Sequence, residues 1–158
     1  MNISDLLQPS GVVATLKVQG KKQLLQELAA RAAQIVHQPE RKIFETLIER
    51  ERLGTTGVGQ GIAIPHGRLA DLKNIVGVFA RLETPIDYDA VDSQPVDLVF
   101  MLLAPEGAGA DHLKALARVS RLLRNQQATE KLRAAKSAEA LYAILTDTTG
   151  SAGGQQAA

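Results

Sequence analysis

Between Leu53 and Arg68 the chain reads Leu-Gly-Thr-Thr-Gly-Val-Gly-Gln-Gly-Ile-Ala-Ile-Pro-His-Gly-Arg, with five glycines (Gly54, Gly57, Gly59, Gly61, Gly67) in that single segment. Glycine at this density permits positive φ and lets bare N–H groups approach a ligand closely. Ile62-Ala63-Ile64 forms a short apolar anchor ahead of Pro65 and His66, so the imidazole reads as presented rather than buried. Two nucleotide loops fail on spacing. A P-loop needs Gly-x-x-x-x-Gly-Lys-Ser/Thr, which does not occur, and a dinucleotide fingerprint needs Gly-x-Gly-x-x-Gly, whereas Gly57-x-Gly59 is followed by Gly61 and then Ile62. Two readings remain: a glycine-rich cradle beside an imidazole suited to holding a phosphoryl group, or a bulge or hairpin whose histidine is incidental.

The flanking periodicity is clearer. A helical turn is expected at Ser4-Asp5-Leu6-Leu7 and a short strand over Val12 to Leu16. Leu24, Leu25, Leu28, Ala32, Ile35 and Val36 recur at helical spacing and predict a helix from about Lys21 to His37, where His37 complements the helix dipole. Pro39 opens a second helix, Glu40 to Leu53, with Ile43, Phe44, Leu47 and Ile48 inward and Gly54 as its stop. It delivers Arg50 and Arg52 to the entrance of the glycine-rich segment.

Beyond it, Ile75 to Leu82 and Val96 to Leu103 are nearly continuous apolar runs and predict central strands. Between them Asp87-Tyr88-Asp89-Ala90-Val91-Asp92 is expected as a solvated turn; a hard-cation loop would need a closing glutamate, which is missing. A helix from Asp111 to Arg124 follows, with Asp111 as N-cap and Leu113, Leu116, Ala117, Ser120 and Leu123 inward. His112 falls in its first turn, where the helix dipole keeps an imidazole neutral. Two short helices, Gln127 to Ala135 and Ala138 to Asp147, complete the pattern, the second capped by Ser137. Strands and helices mix without a β-α-β rhythm, which supports an α/β or α+β sheet with helices on both faces.

Composition removes several function classes. With 18 basic and 17 acidic residues interspersed, and aromatics at 3%, neither an electrostatic footprint nor stacking platforms for nucleic acid are present. No cysteine occurs, so disulfides, thiolate metal sites and a cysteine nucleophile are excluded. The N-terminus lacks signal-peptide character, and the longest apolar run is far below the roughly 18 residues of a membrane helix; a soluble, cytoplasmic protein is expected. His37, His66 and His112 offer no ligand pair at short spacing, and no metal is expected.

The run Gly-Ile-Ala-Ile-Pro-His-Gly-Arg at 61–68, preceded by Arg-Glu-Arg-Leu-Gly at 50–54, closely resembles the signature of enzyme IIA domains of the bacterial phosphotransferase system, in the mannitol/fructose/nitrogen-regulatory class. Leu-Glu-Thr-Pro-Ile-Asp-Tyr-Asp-Ala-Val-Asp-Ser-Gln-Pro-Val-Asp-Leu-Val-Phe at 82–100, then Leu-Leu-Ala-Pro at 102–105 and His-Leu at 112–113, looks like the nitrogen-regulatory branch. The resemblance implies an α+β, three-layer α/β/α sandwich around a small mixed sheet. One type-2 IIA domain would span 1–147, and the small, polar residues 148–158 are expected to be a disordered tail.

For the chemistry, the resemblance implies His66 as phosphoryl acceptor, Arg52 as charge stabiliser at the position of the family's active-site arginine, and His112 as orienting neighbour. Backbone N–H groups around Thr55, Thr56 and Gly57 would complete the cradle. The donor would be a small histidine-phosphocarrier protein of the nitrogen branch, which requires no nucleotide, magnesium or other cofactor. With neither a IIB nor a membrane component attached, a stand-alone IIA unit would meet its partners in trans. Its output would be phosphorylation-dependent regulation of partner proteins in nitrogen- and potassium-related metabolism. The alternatives are a relay to a separate IIB component, or a small-ligand domain in which His66 only contacts its ligand.

Overall fold

The computed structural model describes residues 1–147. Two short 3-10 turns, Ile3–Asp5 and Pro9–Gly11, lead into β1 (Val12–Leu16), α1 (Lys21–Val36) and α2 (Glu40–Leu53). Then come β2 (Gly57–Gly59), β3 (Ile62–Ala63), β4 (His66–Leu69), β5 (Val76–Ile86) and β6 (Val96–Pro105), followed by α3 (Ala110–Arg124), α4 (Gln126–Ala134) and α5 (Ala138–Leu145). The expected tail at 148–158 lies outside the described residues.

A six-stranded mixed sheet runs in the order β1-β5-β6-β3-β2, with β4 also paired to β6. β5 and β6 form its antiparallel centre, while β1 joins β5, and β3 and β4 join β6, in parallel. The apolar run in β6 is buried on both sides because its alternate residues feed two cores. Val99, Met101 and Leu103 meet Leu24, Leu28, Ile43 and Leu47 of α1 and α2. Leu98, Phe100 and Leu102 meet Ala115, Val119, Leu132 and Leu141 of α3, α4 and α5. Each such fully buried side chain contributes about 1.5–3 kcal/mol. The layering is the α/β/α sandwich that the resemblance implies.

Three local features differ from the periodicity. The glycine-rich segment is not one loop but three short strands, and Gln60 and Gly61 (φ 58° and 82°) make the two-residue turn between β2 and β3 that needs positive φ at both positions. Tyr88 is not in a solvated turn: Asp87 and Asp89 face water while Ile86, Tyr88 and Ala90 between and beside them are buried, an alternation carried past the end of β5 through irregular chain in which Asp89 takes a positive φ of 59°. Finally, α3 is rotated relative to expectation. Its buried face is His112, Ala115, Val119 and Leu123, Leu113 is 67% exposed, and Gly109 rather than Asp111 occupies the N-cap position. The rotation turns His112 inward.

Candidate functional site

His66 opens β4 immediately after the sheet ladder along β6 is interrupted at Ile64-Pro65. Proline has no N–H to give, and the Ile64 carbonyl instead accepts a hydrogen bond from Nδ1 of His66 at 2.8 Å. A carbonyl can only accept, so Nδ1 carries the proton and Nε2 of the neutral ring keeps its lone pair. The ring is half-buried, and burial first, then the nearby Arg50 cation, draw its pKa below the usual histidine value against the opposing pull of the Ile64 bond and Glu51. A neutral imidazole with one free, nucleophilic nitrogen results.

The His112 ring lies edge-on to His66, with centroids 5.7 Å apart. Burial, then His66 and Arg68, lower its pKa as well. Its Nδ1 accepts from Nε of Arg68 at 3.4 Å, while its buried Nε2 has no hydrogen-bond partner among the described residues. An unsatisfied buried donor costs about 1–3 kcal/mol, recoverable if an acceptor enters the site.

The two arginines at the end of α2 diverge. Arg52 points outward, 69% exposed, and pairs with Glu49 at 2.6 Å. Arg50 is partly buried, donates to the Gly54 carbonyl at 2.9 Å, and is the one of the pair whose charge reaches His66. The helical wheel carried this information: at about 100° per residue, Arg50 lies roughly 60° from the buried Leu47 and Arg52 roughly 140° away.

Beneath the site lies a polar network absent from the sequence-based expectations. The Glu51 carboxylate is buried and accepts from the amide and hydroxyl of Thr56 at 2.9 and 2.6 Å, from Lys21 at 3.0 Å and from the Tyr88 hydroxyl at 3.2 Å. Burial alone would raise its pKa, but the bonds from Thr56 and Lys21 outweigh that and hold it below the ordinary carboxylate value. Burial and the adjacent Glu51 push the Tyr88 hydroxyl strongly upward, so it stays protonated. The Gly57 amide donates to Oγ1 of Thr55 at 3.1 Å. Two of the cradle amides expected to face a ligand are therefore engaged inside the protein, and this segment braces the site from below.

Fold and site together define the class: an α+β sandwich presenting one histidine with a free ring nitrogen beside a second, buried histidine. The chain belongs to the enzyme IIA type 2 family of the phosphoenolpyruvate-dependent sugar phosphotransferase system, whose profile matches residues 5–148. It is 61% identical over 145 residues to the nitrogen regulatory protein of Bradyrhizobium diazoefficiens, covering 92% of this chain and 95% of that one. The crystal structure of nitrogen regulatory protein IIA-Ntr from Neisseria meningitidis superposes with a TM-score of 0.87 at 40% identity, covering 91% of this chain and 99% of that chain. A solved complex of enzyme IIA mannitol with phosphorylated enzyme IIB mannitol from Escherichia coli shares the fold, with a TM-score of 0.74 at 16% identity over 89% of this chain and 98% of that one. No helix among the described residues is long and apolar enough to cross a membrane.

Proposed function

We propose that the chain accepts a phosphoryl group on Nε2 of His66 from a phosphorylated histidine-phosphocarrier protein and regulates partner proteins by the resulting state. The observation that carries this reading is the bond from Nδ1 of His66 to the Ile64 carbonyl, which leaves Nε2 as the free nucleophile. In the transfer, the Nε2–P bond forms as the donor's N–P bond breaks, and the electron pair of that bond returns to the donor ring. The proton stays on Nδ1, which goes on donating it to the Ile64 carbonyl. Negative charge spread over the phosphoryl oxygens is met by Arg50, and by Nε2–H of His112, in place of the Arg52 and loop amides expected from sequence. The chemistry needs no metal or nucleotide when the donor is itself a phosphohistidine.

A regulatory output is supported by the relatives, which are nitrogen regulatory proteins over nearly their full length. Relay to a separate IIB component is the second reading, favoured by the shared fold with a IIA protein solved together with phosphorylated IIB. The deciding experiment is incubation with a phosphorylated carrier followed by intact mass and phosphopeptide mapping. An acid-labile, base-stable phosphate on His66 is expected; full labelling of a His66→Ala variant would refute the assignment. Transfer onward from His66 to an added IIB protein separates the two outputs.

A further inference from the structure

Arg68 stands two residues beyond His66 on β4, and the period of two puts both side chains on the sheet face that meets α3. Gly67 between them faces Thr46 of α2. From that position Nε of Arg68 donates to Nδ1 of His112 at 3.4 Å. A guanidinium offers donors only and stays charged throughout the range in which proteins fold, so the nitrogen it faces must be the one with the lone pair. The ring proton is thereby driven to Nε2, the atom that is buried beside His66 without a partner among the described residues.

We propose that Arg68 is a positioning residue that fixes His112 as the neutral Nε2–H tautomer, so that His112 presents a donor rather than a lone pair to a phosphoryl group on His66. The inference rests on the assignment of His66 as phosphoryl acceptor. Its logic is a choice between two tautomers of opposite effect. With the proton on Nδ1, the Nε2 lone pair would confront phosphoryl oxygens and repel them; with the proton on Nε2, the same atom binds them. In water the two tautomers of a neutral imidazole coexist, and only a fixed donor or acceptor on one nitrogen selects between them. Charge is controlled by the same contact. Arg68 and His66 both face His112 from β4, its own helix contributes the dipole of the first turn of α3, and the acidic neighbour in that turn, Asp111, is exposed. The arrangement keeps the ring neutral as well as oriented.

The test uses the full chain labelled with 15N. Long-range ring spectra of the unphosphorylated protein, recorded from about pH 5.5 to 8 across the ordinary histidine range, should show His112 with its proton on Nε2. In Arg68→Met the two tautomers should mix and the His112 titration should move to higher pH. His66 should keep its Nδ1–H tautomer, which verifies that the site is folded, and Arg68→Lys should restore the wild-type pattern in part. Labelling of His66 by the phosphorylated carrier should slow by about tenfold or more in Arg68→Met, as when a single transition-state donor is lost. That loss should vanish in a His112→Ala background, where there is no ring left to orient. An Nδ1–H tautomer of His112 in the wild type, an unchanged tautomer in Arg68→Met, or an undiminished Arg68→Met effect in the His112→Ala background would each overturn the proposal. If the wild-type chain takes no phosphate at all, the His66 assignment fails, and with it the catalytic use of the tautomer, even where the ring spectra show Arg68 setting it.

Discussion

Two arginines separated by one residue on α2 have opposite fates, and this yields the sharpest test at the residue scale. Arg50 is the arginine of the pair whose charge is felt at His66, so Arg50→Ala should slow labelling by at least about tenfold, since a charge-assisted contact to phosphate contributes about 1.5–3 kcal/mol and each 1.4 kcal/mol is a factor of ten. Arg52, held by Glu49 on the exposed side of the helix, should change the rate by less than about twofold when truncated, because an exposed pair contributes about 0–1 kcal/mol. Equal effects of the two substitutions would show that the helix end rearranges on phosphorylation. The sequence setting left His66 open between a phosphoryl site and an incidental histidine, and the resemblance singled it out; the inward turn of Arg50 rather than Arg52 needed the wheel of α2, and the placement of Arg68 needed strand periodicity in a segment too glycine-rich to suggest a strand. The depressed pKa of His66 carries a pH expectation. Folding disfavours its imidazolium, so stability declines as pH falls from the ordinary value of 6.5 through the lowered folded value, and is flat below it. For the same reason the nucleophilic form persists below pH 6.5, and an NMR titration of His66 with its midpoint at or above the ordinary value would contradict this.

Among the elements, the junction of α2 with β2 is where local structure and function are joined. Glu51, at the end of α2, is tied to α1 through Lys21, to the chain entering β2 through Thr56, and to the β5–β6 connection through Tyr88. Removing one member of a buried charged network costs about 3–5 kcal/mol, so Glu51→Gln should lower the stability measured by urea denaturation at neutral pH by an amount of that order. The sign of its pH dependence follows from the lowered pKa. The contribution of Glu51 is complete above the ordinary carboxylate value of 4.5 and is lost as pH falls through the lowered folded value, so the gap between wild type and Glu51→Gln should narrow in acid. A gap that is constant with pH would remove the carboxylate charge from the account. On the neighbouring strand, Gly67→Ala would place a methyl group 2.6 Å from Cγ2 of Thr46, forcing α2 away from β4; about 1–3 kcal/mol of destabilisation is expected, with slower labelling of the adjacent His66. The sequence specified β1 and α2 to the residue because their apolar periods are uninterrupted. It misphased α3 because Leu113 is apolar but exposed while the buried first-turn residue is a histidine, and hydropathy alone favours the wrong stripe.

For the whole molecule, the two cores packed on opposite faces of one sheet leave little room for a conformational response. β6 contributes alternate side chains to both cores from Leu98 to Leu103, all of them fully buried, and such packing moves only at the cost of both layers. Periodicity supported a sheet with helices on both faces and the resemblance implied the α/β/α layering, whereas the order of strands was not legible, since β3 and β4 are only two and four residues long and take their place by pairing with β6. A phosphoryl group on His66 should therefore act through surface charge. By analogy with other phosphorylated side chains it brings about −1.5 to −2 charges at pH 7, set against a formal net charge of +1 for the entire chain. The sign of the molecule, and most strongly of the surface around Arg50 and Arg68, should reverse on labelling. Partners that bind the unmodified form would then have to bury an unpaired charge, which costs several kcal/mol and shifts affinity by about two decades or more. Two measurements distinguish this from an allosteric switch. Backbone chemical shifts should change on labelling near His66, Arg50, Arg68 and His112 while those of α4 and α5 stay fixed. The difference in affinity for the dephosphorylated carrier protein between labelled and unlabelled chain should shrink as salt rises from about 0.01 to 1 M, where the screening length falls from about 30 to 3 Å. Shift changes reaching α5, or an affinity difference indifferent to salt, would mean that the phosphoryl group is read through a change of shape.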